Sequence, residues 1–75
     1  MDLYYQNETL YIDINHTLTA QNYLKFKDRI FKIVRDYGVD RVVVENNPVT
    51  FKNRYFLNQM KHEYASVYHG DFLIK

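Results

Sequence analysis

The feature that most constrains the fold is the tetrad Arg41-Val42-Val43-Val44. It stands between two amphipathic segments, each followed by a glycine, Gly38 and Gly70. A short continuous β-branched run reads as a strand buried on both faces, as the strands of parallel sheets are. With helical segments on either side, it dictates a strand–helix–strand–helix–strand order from Thr9 to Lys75. A hairpin precedes this. The predicted fold class is therefore α/β, order ββαβαβ, a mixed four-stranded sheet with two helices packed on one face. Residues 1–75 form a single small domain.

The hairpin runs from Leu3 to Ile14, with Asn7-Glu8 near its turn, because Asn tolerates the positive φ that tight turns require. Leu10, Ile12 and Ile14 point one way and Tyr11 and Asp13 the other, the alternation of a half-buried strand. Leu3 and Tyr5 share a face, with Tyr4 opposite. After a loop over Asn15 to Leu18, Thr19 can cap a helix. Ala20, Tyr23, Leu24, Phe26, Ile30, Phe31, Ile33, Val34 and Tyr37 recur at spacings of three and four, a stripe broad enough to lie on a sheet. Gly38 supplies the left-handed residue that ends this helix. The stretch Asn46-Asn47-Pro48-Val49-Thr50 reads as a loop, since Pro48 excludes helix before it. Thr50 can cap a second helix, roughly Phe51 to Tyr68, with Phe56, Leu57, Met60, Tyr64, Val67 and Tyr68 inward. Gly70 ends it, and Asp71 to Lys75 forms the last strand.

A 75-residue chain buries only about 60–65 % of its unfolded surface, so its stability margin is thin. Without cysteine, neither disulfides nor thiolate metal sites supplement the core. Eight tyrosines and five phenylalanines must do so by packing, and homodimerisation is the remaining way to bury more surface. The net charge of +1 excludes a strongly basic nucleic-acid binder or an acidic tail. The start Met1-Asp2-Leu3-Tyr4 has neither a basic nor an apolar leader region, and no apolar run approaches a membrane span. The expectation is a cytoplasmic protein with no membrane association.

Strand–helix–strand crossovers are right-handed in nearly all cases. Two successive crossovers moving the same way across a sheet place both helices on one face and leave the other bare. Tyr4, Tyr11, Asp13 and Val43 are expected there, with either Phe72 and Ile74 or Asp71, Leu73 and Lys75. An aromatic-rich bare face is a candidate contact surface.

This order of elements resembles the core of the STAS domain of anti-sigma-factor antagonists. The segments that carry the resemblance are Leu10-Tyr11-Ile12-Asp13-Ile14, Arg35-Asp36-Tyr37-Gly38, Arg41-Val42-Val43-Val44-Glu45 and Gly70-Asp71-Phe72-Leu73-Ile74. The family's regulatory loop carries an Asp-Ser-Ser-Gly type motif whose serine, at a helix start, is phosphorylated by a partner kinase. Here that loop is Asn47-Pro48-Val49-Thr50-Phe51-Lys52, and Thr50 is its only hydroxyl. The resemblance implies a small regulator that docks on a larger protein. A phosphate on Thr50 would meet the free amides of a helix N-terminus, with Lys52 and Arg54 close by. As an ordinary N-cap, Thr50 is worth about 1 kcal/mol.

Catalytic parts are absent from the pattern. His62 and His69 are two helical turns apart, about 10 Å along the axis, too far to chelate one ion, and His16 sits in a loop. Ser66, the only serine, has no glycine elbow. Asp13, Asp40 and Glu45 lie near strand ends, but Asp40 and Glu45 flank opposite ends of one strand. No glycine-rich phosphate loop exists. The expectation is a non-enzymatic protein-interaction module with no cofactor and no metal, docking through Tyr4, Tyr11, Thr50, Lys52, Arg54 and Tyr55. The last strand offers an edge that could pair with another chain. Lys25, Lys27, Arg29, Lys32 and Arg35 on the first helix, and Lys52, Arg54, Lys61 and His62 on the second, make nucleic-acid association the alternative. Asp28, Asp36 and Glu63 interrupt those faces. A bacterial regulator and a small phage or mobile-element inhibitor fit the pattern equally.

Overall fold

A computed structural model describes residues 2–46 and 50–75. Strands β1 (Asp2–Gln6) and β2 (Thr9–Ile14) form the hairpin. They are followed by helix α1 (Ala20–Tyr37), strand β3 (Arg41–Asn46), helix α2 (Phe51–Val67) and strand β4 (Asp71–Ile74). The sheet order is β1-β2-β3-β4. β1 pairs antiparallel with β2, and the β2–β3 and β3–β4 pairs are parallel. This is the expected ββαβαβ mixed sheet. Asn47, Pro48 and Val49 of the expected loop lie outside the described residues.

Local chemistry accounts for the element ends. Asn7 and Glu8 both adopt left-handed φ, 54° and 61°, as the two central residues of a tight hairpin turn must. The Glu8 carbonyl then accepts from the Asp40 and Arg41 N–H groups at 2.9 and 3.3 Å, tying the turn to the start of β3. At the start of α1, Thr19 and Asn22 form a reciprocal capping box. Thr19 Oγ1 accepts from Asn22 N–H at 3.3 Å, and Asn22 Oδ1 accepts from Thr19 N–H at 2.6 Å. Gly38 closes the helix at φ 64°.

The core lies between the sheet and both helices. Leu10, Ile12 and Ile14 of β2, Val42 and Val44 of β3, and Phe72 of β4 meet Tyr23, Phe26, Ile30 and Val34 of α1. Leu57, Met60 and Tyr64 of α2 complete it. Four residues expected to face inward do not: Ala20, Leu24, Tyr37 and Val67 are all exposed. The apolar stripe of each helix is broader than the surface the sheet offers it, and Tyr37 instead stacks its ring on Tyr5 of β1 at 5.9 Å.

Gly70 has a different role from the expected one. Helix α2 ends at Val67, with Tyr68 extended as its C-cap, and Gly70 is not left-handed. A Cβ at Gly70 would strike the Asp40 carbonyl oxygen and come within 2.6 Å of the Tyr64 hydroxyl. Asp71 N–H donates to that same carbonyl at 3.1 Å, so the residue before it must lack a side chain. His69 lies beyond the end of α2, which closes at Val67.

The core contains one polar side chain that the apolar pattern does not announce. Asn53 is fully buried on the inward face of α2, one turn before Leu57. Its Oδ1 accepts from Leu18 N–H at 2.7 Å. Its Nδ2 donates to the His16 carbonyl at 2.9 Å and to Asn46 Oδ1 at 3.0 Å. Its own N–H donates to Thr50 Oγ1 at 3.1 Å, the expected N-cap. The amide thereby holds the loop after β2, the end of β3 and the start of α2 in one place. Replacing it by Asn53→Leu, of similar volume, strands the Leu18 donor and the His16 and Asn46 acceptors in the core. At about 1–3 kcal/mol for each unsatisfied group, the expected loss is roughly 3 kcal/mol or more, readable as a lower urea midpoint.

Candidate functional site

Since both helices occupy one side of the sheet, the residues that alternate out of the core form the other side. Pairing register places Tyr4 opposite Tyr11, Tyr11 opposite Val43 and Val43 opposite Leu73. One apolar row thus crosses all four strands. The Tyr4 and Tyr11 rings stack at 4.7 Å with only 14° between their planes. Val43 is almost fully shielded by its neighbours, whereas Tyr4 and Leu73 are 58 % and 45 % exposed. Phe72 turns inward against Tyr64, which decides that Leu73 rather than Phe72 belongs to this face.

Two residues further along the strands the register aligns Asp2 with Asp13 and Asp13 with Glu45. Together with Tyr4, Tyr11, Ile12 and Val43 these carboxylates line a shallow depression of about 330 Å³. Asp13 and Glu45 are therefore neighbours, and Asp40 stands apart from them. The Glu8 carboxyl is held above its ordinary value by a hydrogen bond with the Asp40 side chain and by that group's charge. On the opposite side of the apolar row, Arg41 is paired with Asp71 at 3.5 Å.

The six residues expected to dock a partner divide between two surfaces. Tyr4 and Tyr11 lie on the uncovered sheet face. Thr50, Lys52, Arg54 and Tyr55 lie on the first turns of α2, in the helical layer. There Lys52 and Tyr55 line a groove with Thr19, Ala20, Phe51 and Phe56, and Phe51 is the most exposed large apolar side chain described. Arg54 instead lines a separate polar concavity of about 380 Å³ with Asn46, Asn58, Lys61, Ile74 and Lys75. Sequence reasoning did not include Asp2, Glu45 and Leu73 in the docking set. Leu73 was already one of two alternatives for the bare face, whereas the alignment of Asp2 and Glu45 with Asp13 follows only from the strand register.

The basic helix faces are less continuous than their spacing implies. Lys27 is bound to Glu63 at 3.0 Å, joining the two helices, and its ammonium lies over the Tyr23 ring at 5.8 Å. Arg35 pairs with Asp36. Burial, with Glu63 adding to it, pushes the Tyr23 hydroxyl up to about 12. Burial does the same in direction for Tyr64, reinforced by Asp40 and Asp71. Among the described residues no group of three or more His, Cys, Asp or Glu could hold a metal ion. No described helix is long and apolar enough to cross a membrane.

The Glu8–Asp40 pair gives a pH test of the turn. A carboxyl raised in the folded state favours folding while protonated, and that contribution is lost as pH rises through its folded value. At neutral pH the two charges oppose each other. Glu8→Gln should raise the melting temperature at pH 7, with the gain shrinking as pH falls through the raised folded value and gone below the ordinary value of 4.5. Thermal unfolding of both proteins across pH measures it.

No family model matches the chain, and neither curated proteins nor solved structures show a significant match to it.

Proposed function

We propose that the chain is a non-catalytic protein-interaction module that docks on a larger protein through its uncovered sheet face. The observation that carries this reading is the Tyr4–Tyr11–Val43–Leu73 row, an apolar band crossing every strand with none of the described elements over it. Sheets with parallel strands are normally covered on both faces. Three of the four strands here are parallel to one another, yet both helices lie on the same side. The STAS-like order of elements agrees with a regulatory role, in which Thr50 is the position for a phosphate. A cytoplasmic setting, in a bacterium or a phage, belongs to the same reading.

A second reading draws on the concavity lined by Arg54, Lys61 and Lys75 with Asn46 and Asn58. Three cationic side chains around one hollow suit a phosphate oxygen, and so a nucleic-acid backbone. Binding of that kind weakens steeply with salt, as counterions are released.

Site-specific photo-crosslinking separates these surfaces. A photoreactive phenylalanine at Tyr11, at Tyr55 or at Lys61 samples the sheet face, the helical groove and the basic hollow in turn. Irradiation in the cell that encodes the protein should give a protein adduct from position 11. Adducts from position 55 or 61 alone would overturn the sheet-face reading.

A further inference from the structure

The uncovered face also carries information about the chemistry of what covers it. Resting on the docking reading, we infer that its occupant is a basic amphipathic helix of another protein. The helix would set its apolar stripe on the Tyr4–Tyr11–Val43–Leu73 row and its Lys or Arg side chains beside Asp2, Asp13 and Glu45.

In the middle of a sheet the N–H and C=O groups are already paired along the strands, so an occupant of the face must arrive with its own backbone satisfied. A helix does so, and helices on both faces are the arrangement that parallel strands adopt when fully buried. Strands about 4.8 Å apart make the row about 14 Å long, the rise of about ten helical residues. The same face laid against a second copy would set two acidic rows into one small contact.

Asp2, Asp13 and Glu45 stand in direct cross-strand register, Asp2 beside Asp13 and Asp13 beside Glu45. Like charges placed directly opposite one another destabilise a sheet. Among the described residues none of the three has an ion-pair partner. The nearest basic side chain along β3, Arg41, lies across the apolar row and is paired with Asp71. Lys75 lines the basic hollow instead. The carboxylates lie about 7 Å from the apolar row, two residues along the strand, within reach of a long side chain on the flank of a helix seated there. A cationic flank removes the repulsion that the free chain carries.

The test uses the whole chain, isotope-labelled, and two synthetic helical peptides of about 18 residues sharing one leucine stripe. Lysine flanks the stripe in one peptide and glutamate in the other. The lysine peptide should shift the amide resonances of Tyr4, Tyr11, Val43 and Leu73. It should bind about tenfold more tightly than the glutamate peptide, the order expected of three exposed ion pairs. That preference should shrink at high salt. Asp13→Asn should reduce the preference while leaving the free chain at least as heat-stable as before, and Glu45→Gln is the independent second variant. Equal binding of both peptides on this face would overturn the basic partner and leave the docking surface standing. Shifts confined to Phe51 and Tyr55, or none with either peptide, would overturn both. The same shifts appearing with protein concentration alone would make the occupant a second copy and overturn the inference.

Discussion

Asn53 is completely buried, yet each of its side-chain hydrogen-bonding positions reaches a different piece of the chain. Two of these pieces, His16 and Leu18, lie in the loop that leads into α1. The third, Asn46, ends β3, and the amide itself belongs to the first turn of α2. Both helices therefore start from positions fixed by one side chain. An amide suits this place because it offers two donors and one acceptor in a plane, matching two carbonyl-type oxygens and one N–H. A buried polar group is tolerable only when its polar atoms have partners, and both Oδ1 and Nδ2 do here. In so small a domain, with no disulfide, such a junction does what a larger core does elsewhere.

The junction has a consequence on the far side of the sheet. It seats α1 and α2 together over β2, β3 and β4, and the successive parallel crossovers keep them there. Every inward side chain of β2 and β3 is consequently sealed, whereas no described helix lies over their outward ones. Val43 shows the tension most plainly. It belongs to a strand whose composition suits burial on both faces, and it is kept dry only by Tyr11 and its other neighbours in the row. Tyrosine is well suited to such a boundary, since its ring shields apolar surface while its hydroxyl stays in water.

Much of the architecture was legible in the sequence. Each element has a local cause: the β-branched run of β3, the alternation of β2, the Thr19 and Thr50 caps, the left-handed Gly38. Two kinds of feature were not legible. One is anything decided by long-range register, such as the alignment of Asp2, Asp13 and Glu45, or the choice between Phe72 and Leu73 for the outer face. Periodicity fixes which residues share a face of one strand but not which stand beside one another across strands. The other is a polar residue with a structural task. Asn53 falls at the inward spacing of Leu57, Met60 and Tyr64, and that position was its only signal. Gly70 was misread for a related reason, because a glycine after a helix suggests a left-handed cap, whereas here it makes room for the Asp40 carbonyl and the Tyr64 hydroxyl.

Hydroxyl-radical footprinting of the isolated chain and of the chain in its native cellular setting tests the central claim most directly, that the face opposite the helices is covered by another protein. The account predicts ready oxidation of Tyr4 and Tyr11 in the isolated chain and their protection in the cell, with Phe51 and Tyr55 equally reactive in both. Protection limited to Phe51 and Tyr55, with Tyr4 and Tyr11 unchanged, would contradict it.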